Sequence, residues 1–179
     1  MKKKPIRIVL LVLLAAFIII QFIPVDRSNP SSNPQEDFLN TASIDAQAAS
    51  MLKKACFDCH SNYTRYPWYS FVAPASFIVA NHVKEGREEL NFSEWATYSE
   101  KKKAHKLEEC IEALREGWMP LSGYVALHDE ADLSAAQRES LATALEKIMK
   151  STAAKSSTGQ SHEGEHSEEN EHDHQHDDD

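Results

Sequence analysis

The sequence predicts an all-α domain, and three observations predict it. Apolar residues recur at helical spacing in four separated segments. Cap and stop residues bracket those segments where helices need them. No stretch alternates convincingly between apolar and polar side chains, as a half-buried strand would. The chain has 179 residues, but its composition changes along its length and leaves one body of roughly 115 residues, an ordinary domain size. Residues 1–26 read as a membrane segment, 27–40 as a linker, 41–152 as the folded domain and 153–179 as a polar tail.

The amino-terminal segment sets Lys2, Lys3, Lys4 and Arg7 before an apolar run from Ile8 to Ile20, followed by Gln21, Phe22, Ile23 and Pro24. A basic start and an apolar core form an export signal, oriented with the positive charge inside. The residues at its end are bulky rather than small, so an uncleaved single transmembrane helix is expected over a cleaved signal peptide. Residues 8–23 span about 24 Å as a helix, slightly short of a hydrocarbon layer of roughly 30 Å, and flanking residues make up the difference. The next stretch carries Ser28, Asn29, Pro30, Ser31, Ser32, Asn33 and Pro34 with no hydrophobic period. It reads as an extended spacer.

Within the body, Ile44, Ala48, Met51, Leu52 and Ala55 predict a first helix from about Ile44 to Lys54, capped by Ser43. Residues 61–71 form an irregular stretch with Tyr63, Tyr66, Trp68, Tyr69 and Phe71. These rings either pack the small core or wall one side of a macrocycle. Pro74 suits the first turn of a second helix carrying Phe77, Ile78 and His82, ending near Gly86. Residues 91–95 make a short turn with Ser93 as its cap. Ser99 opens a third helix to about Glu116, whose Leu107, Cys110, Ile111 and Leu114 share a face, and Gly117 stops it. Ser134 and Gln137 form a capping box for the last helix, which buries Leu141, Leu145, Ile148 and Met149.

The organising motif is Cys56-Phe57-Asp58-Cys59-His60, a C-x-x-C-H pentapeptide. Two cysteines at this spacing can each add to a vinyl group of one haem, and the following histidine then falls beneath the iron. The same C-x-x-C core also serves zinc sites and thiol redox centres. Zinc requires two further ligands at short matched spacing, and thiol redox chemistry a βαβ context; the sequence offers neither. Cys110 is left over, on the apolar face of the third helix, and reads as a buried structural thiol. One covalent haem c on Cys56, Cys59 and His60 is therefore expected.

An electron-transfer haem needs a second axial ligand, for which Met119, His82, His105 and His128 are the candidates. Met119 follows the helix stop at Gly117 and precedes Pro120, which blocks helical continuation and stiffens the loop. A thioether there favours ferrous iron and raises the reduction potential relative to a second imidazole. Met119 is the expected ligand. Arg65 is placed to pair with a haem propionate or to stay solvated.

These residues resemble a known family. Cys56 to Ser70, Pro74, His82 to Arg87, Asn91 to Trp95 and Met119-Pro120, in that order, are similar to the haem-binding domain family of membrane-anchored, cytochrome c-like bacterial proteins. The resemblance covers about residues 10 to 150. It implies a small cytochrome c-like helical domain around one haem, with Cys56 and Cys59 attached to it and His60 as the proximal iron ligand. Met119 as distal ligand follows the general cytochrome c pattern. The resemblance implies no particular redox partner.

Of 28 acidic residues, nine lie after Ser156, where no Lys or Arg occurs, which leaves 19 acidic against 19 basic side chains in the rest. The net charge of −9 is thus a property of the tail. No basic patch with interleaved aromatics occurs, so nucleic-acid binding has no support and is not expected. The tail holds His162, His166, His172, His174 and His176 and no large apolar residue. It is expected to be disordered and solvating, with weak divalent-metal binding as the sharper alternative. The expected function is single-electron transfer at the periplasmic face of a bacterial inner membrane, by a binding protein rather than an enzyme. The alternative is a haem-based gas or redox sensor with a displaceable sixth ligand.

Overall fold

Residues 3–159 are described by a computed structural model, and among them every regular element is helical. Eight α-helices follow one another as α1 (Lys3–Ile20), α2 (Phe38–Thr41), α3 (Ala46–Ala55), α4 (Phe57–His60), α5 (Ala75–Glu89), α6 (Glu100–Glu116), α7 (Ser122–Val125) and α8 (Ala135–Gly159). Short 3-10 turns at Trp68–Phe71, Phe92–Thr97 and Asp129–Ala131 join them. The all-α expectation holds. The last helix runs past the expected 152/153 boundary to Gly159, and the His-rich part of the tail lies outside the described residues.

The amino-terminal apolar run is helical, and its large side chains are exposed all round. Among the described residues no helix is long and apolar enough to cross a membrane. In α1 the sequence includes Lys3, Lys4 and Arg7, and the uncharged stretch from Ile8 to Ile20 measures only about 20 Å.

α6 and α8 form the backbone of the domain. Arg115, near the end of α6, reaches Glu139 in the early turns of α8 at 2.9 Å and Glu146 at 2.7 Å, so the two helices run antiparallel. Leu107, Ile111 and Leu114 of α6 meet Leu141, Ala142, Leu145 and Ile148 of α8 in one core. The expected caps hold at both helices. Ser99 accepts from the Lys102 amide, and Gly117 ends α6 at φ 74°, where a side chain would be strained. The Ser134 amide donates to Gln137 at 2.8 Å while the Gln137 amide donates back to Ser134 at 3.3 Å.

Three local expectations change. The cap of α3 is Asp45, whose carboxylate accepts from the Ala48 amide at 2.9 Å. Ser43 precedes it on a non-helical stretch, and aspartate caps as well as serine. The turn at residues 92–97 is capped by Asn91 rather than Ser93, whose hydroxyl instead accepts from the Asn62 amide at 3.0 Å. α5 runs through Gly86 to Glu89, because Gly86 does not adopt the positive φ that would turn the chain out of the helix.

The expected spacer lies along the domain. Residues 24–33 have no regular secondary structure, yet Asn29 donates to the Thr64 carbonyl at 2.9 Å and Asn62 to the Ser31 carbonyl at 3.3 Å. Phe38 is fully buried, its ring 4.9 Å from Trp95 edge-on and 5.2 Å from Phe92. One large apolar residue in a polar stretch gives no period, so the sequence pattern hid it. The rings of residues 61–71 are not the core. Tyr63, Trp68 and Phe71 are exposed, and Phe38, Phe57, Phe92 and Trp95 fill the interior.

Phe38→Ala is expected to destabilise the domain by about 3–5 kcal/mol, as for other fully buried aromatics. Urea unfolding followed by circular dichroism measures this. A change within the roughly ±0.5 kcal/mol of a surface substitution would remove Phe38 from the core.

Candidate functional site

The C-x-x-C-H motif straddles a kink. α3 ends at Ala55, Cys56 takes φ −124° and ψ −37°, and α4 begins at Phe57. The Cys59 and His60 amides both donate to the Cys56 carbonyl, at 3.2 and 2.9 Å. This single turn spaces Cys56, Cys59 and His60 at i, i+3 and i+4, the spacing of neighbours on a helix surface. All three are half-buried, whereas Phe57 and Asp58 point to the opposite side and are buried. The intervening residues root the motif in the core, against which Cys56 also packs.

His60 is fixed in one tautomer. Its Nδ1 lies 2.8 Å from the Gly86 carbonyl oxygen and 3.2 Å from that of Leu90. Both partners can only accept, so Nδ1 carries the proton and Nε2 keeps its lone pair. Burial also lowers the His60 pKa, against the opposing pull of those two carbonyls. A neutral imidazole, held by one nitrogen and free at the other, is the form that binds a metal.

The close crossing that makes this bond depends on Gly86. A Cβ built there would lie 2.7 Å from the Cys59 carbonyl oxygen and 3.0 Å from the Cys59 Cβ. α5 can therefore press its backbone against α4 only with glycine at this position. The adjacent Arg87 donates to the Ser61 carbonyl at 2.9 Å, to the Thr64 hydroxyl at 2.8 Å, to Asn29 at 2.7 Å and to the Ser28 carbonyl at 3.1 Å. One guanidinium thus joins α5, the chain leaving the motif and the segment after α1.

Burial governs the acidity of the motif thiols. Burial pushes Cys59 up to about 11 and Cys56 higher still, so both stay protonated near neutral pH. Thiol redox motifs need a stabilised thiolate, the opposite condition. Cys110 is likewise pushed up by burial, to about 12, and packs half-buried against the core, less deeply than a fully buried thiol. Among the described residues no group of three or more His, Cys, Asp and Glu side chains is arranged to hold a metal ion.

Asp58 ties α7 to the motif. Its carboxylate accepts from the Tyr124 hydroxyl at 2.8 Å and from the Arg65 amide at 3.1 Å, and the Arg65 side chain stands 3.6 Å away. Burial, then the bond to Asp58, raises the Tyr124 pKa. Tyr124 stacks on His128 with centroids 4.0 Å apart, and the His128 Nδ1–H donates to the Tyr124 carbonyl at 2.9 Å. The Tyr69 hydroxyl faces His128 Nε2 at 3.4 Å.

The remaining candidates separate by environment. Met119 is half-buried on the segment from Gly117 to α7, its amide donating to the Ala113 carbonyl at 3.5 Å. His82 is exposed on α5. His105 is exposed and stands 3.3 Å from Glu109. Asp58, Gly86, Arg87 and Tyr124 carry much of the site, and sequence reasoning assigned none of them a role there. Gly86 inside a helical pattern was the one available signal, and it reads equally as a helix stop.

The sequence model of a family described as a haem-binding domain matches residues 15–147. No curated protein and no solved structure matches the chain. The match spans well over half of the sequence, and the chain belongs to the haem-binding domain family.

Gly86→Ala is expected to lower the haem bound per chain several-fold, read from pyridine haemochrome absorbance. Wild-type haem content in this variant would show that α4 and α5 can part without harm to the site.

Proposed function

We propose that this member of the haem-binding domain family is a membrane-anchored c-type cytochrome that holds one haem covalently and passes single electrons. The observation that supports the reading is the turn that spaces Cys56, Cys59 and His60 at i, i+3 and i+4, with His60 Nδ1 bonded to the Gly86 carbonyl. This donor set suits haem. Two protonated thiols and one unprotonated imidazole nitrogen are the groups that covalent attachment and axial ligation require. Each thiol would add across one vinyl C=C, sulfur bonding one carbon and the proton passing to the other, so no oxidant is consumed. Nε2 of His60 would bind the iron, and the Gly86 and Leu90 carbonyls would fix the ring's angle and strengthen it as a donor.

Haem supplies a ferric–ferrous couple; the chain sets its potential through axial ligation, hydrogen bonding and burial. Met119 is the proposed second ligand. Its segment runs into α7, which Tyr124 pins to Asp58 within the motif itself, and a thioether needs no deprotonation to bind. Electron transfer follows from two occupied axial positions, because no exchangeable site is left for a substrate.

α1 is the proposed anchor. Its apolar side chains face outward on every side, which suits lipid rather than water. Lys2, Lys3, Lys4 and Arg7 would stay on the cytoplasmic side, leaving the domain in the periplasm of a bacterial inner membrane. The short apolar run is accommodated by snorkelling of the flanking basic chains and local thinning of the bilayer.

Two measurements test the reading. Intact protein from a host competent in haem attachment is expected to keep one haem after denaturation, seen as one added tetrapyrrole mass; a chain without that mass refutes covalent binding. Reduced protein is expected to ignore CO, whereas Met119→Ala binds it. Identical CO behaviour in both proteins would remove Met119 from the iron, and CO binding by the wild type would favour sensing over electron transfer.

A further inference from the structure

The segment between the motif and α5, Pro67 to Pro74, sets Trp68, Phe71 and Val72 among Tyr69, Ser70 and Ala73. A surface connection is ordinarily polar. Here the 3-10 turn at Trp68–Phe71 sorts the residues by side. Ser70 and Ala73 are buried and Tyr69 is half-buried towards His128, while Trp68 is 78 % exposed, Phe71 60 % and Val72 40 %. The Ser76 amide donates to the Val72 carbonyl at 3.0 Å, which joins this segment to the first turn of α5 and to its exposed Ile78. Single exposed apolar residues need no explanation, but several gathered on one segment do.

This segment is fastened to the end of α1. The Gln21 side chain donates to the Ala73 carbonyl at 3.2 Å and accepts from the Ala73 amide at 2.9 Å, a two-bond pairing like that between strands. The same amide nitrogen of Gln21 donates to the Phe17 carbonyl at 2.9 Å, so the side chain is itself held on α1. Arg27 donates to the Ser70 carbonyl at 3.3 Å, and its guanidinium lies 4.7 Å from the centre of the Phe71 ring. Phe22, 82 % exposed, and Ile23 continue the apolar surface from α1.

We infer that Trp68, Phe71 and Val72, with Phe22 and Ile23, lie in the interfacial layer of the lipid bilayer that α1 enters, so that the haem domain rests on the membrane in one fixed orientation. The inference rests on the anchoring reading above. If the hydrocarbon layer ends near Ile20, Gln21 stands at its edge. Ala73, bonded to Gln21, must then stand at the same depth. Aromatic side chains are enriched at that depth, where an apolar ring and a polar surround are both satisfied. A short apolar span strengthens the argument, because a thinned bilayer draws the interface towards the domain. Arg27, stacked on Phe71, places a cation at the level of the lipid phosphates. The polar stretch after Asp26 does not act as a free tether, since Arg87 binds both Ser28 and Asn29 to the domain.

The test uses the full-length, haem-loaded protein in phosphatidylcholine vesicles. An apolar aryl diazirine is partitioned into the lipid, aqueous carbene is scavenged with glutathione, and adducts are mapped by mass spectrometry. Trp118 is the internal reference, an exposed aromatic with no tie to α1. Labelling of residues 8–20, together with several-fold more labelling of residues 67–72 than of Trp118, is the expected result. Labelling of 8–20 with 67–72 at the level of Trp118 overturns the inference and leaves the anchor in place. Absence of label from 8–20 overturns the anchor, and the inference with it.

Discussion

The structure depends on one close crossing, where α5 lays Gly86 against the carbonyl of Cys59. The helices can approach this far only because no side chain intervenes. That approach brings the Gly86 carbonyl within 2.8 Å of His60 Nδ1 and settles where the imidazole proton sits. A backbone carbonyl is a good choice for the task. It cannot donate, titrate or rotate away, so the tautomer follows from the packing of two helices. The motif is held from its other side by Phe57 in the core, its ring stacked 5.3 Å from Phe92, and by Asp58 bonded to Tyr124.

A second layer of polar contacts stiffens what surrounds that crossing. Asn62 receives a bond from Asn91 at 2.9 Å and donates its amide to Ser93, and the Thr64 hydroxyl donates to the Asp58 carbonyl at 2.7 Å. These groups are buried, and each is satisfied by another, which is the condition for a polar network to specify one arrangement. Arg87 extends the network outward to Ser28 and Asn29, and Gln21 and Arg27 extend it to the segment before α5. The domain and the end of α1 are consequently joined by directional bonds at several points. Such rigidity fixes the distance and orientation between the site and the end of α1.

Much of this was legible in the residue pattern. The α6 face of Leu107, Ile111 and Leu114, the stop at Gly117 and the Ser134–Gln137 box follow from spacing and local chemistry, and they appear where expected. The C-x-x-C-H spacing itself was readable, but the break at Cys56 and the separate turn Phe57–His60 were not. Legibility failed where the reason for a residue lay far along the chain. Phe38 looked like linker because its partners, Phe92 and Trp95, are more than fifty positions away. Ser93 looked like a cap because local rules cannot see Asn62.

The sequence by itself determined an all-helical domain, its main helices and the C-x-x-C-H spacing, since each of these is decided by neighbours within a few residues. Tertiary structure alone decided that Gly86 serves contact rather than termination, and that His60 presents Nε2. It alone decided that the polar stretch after α1 lies along the domain. The physical reason is common to all three: hydrogen bonds and close packing between elements distant in sequence leave no periodic trace in either one.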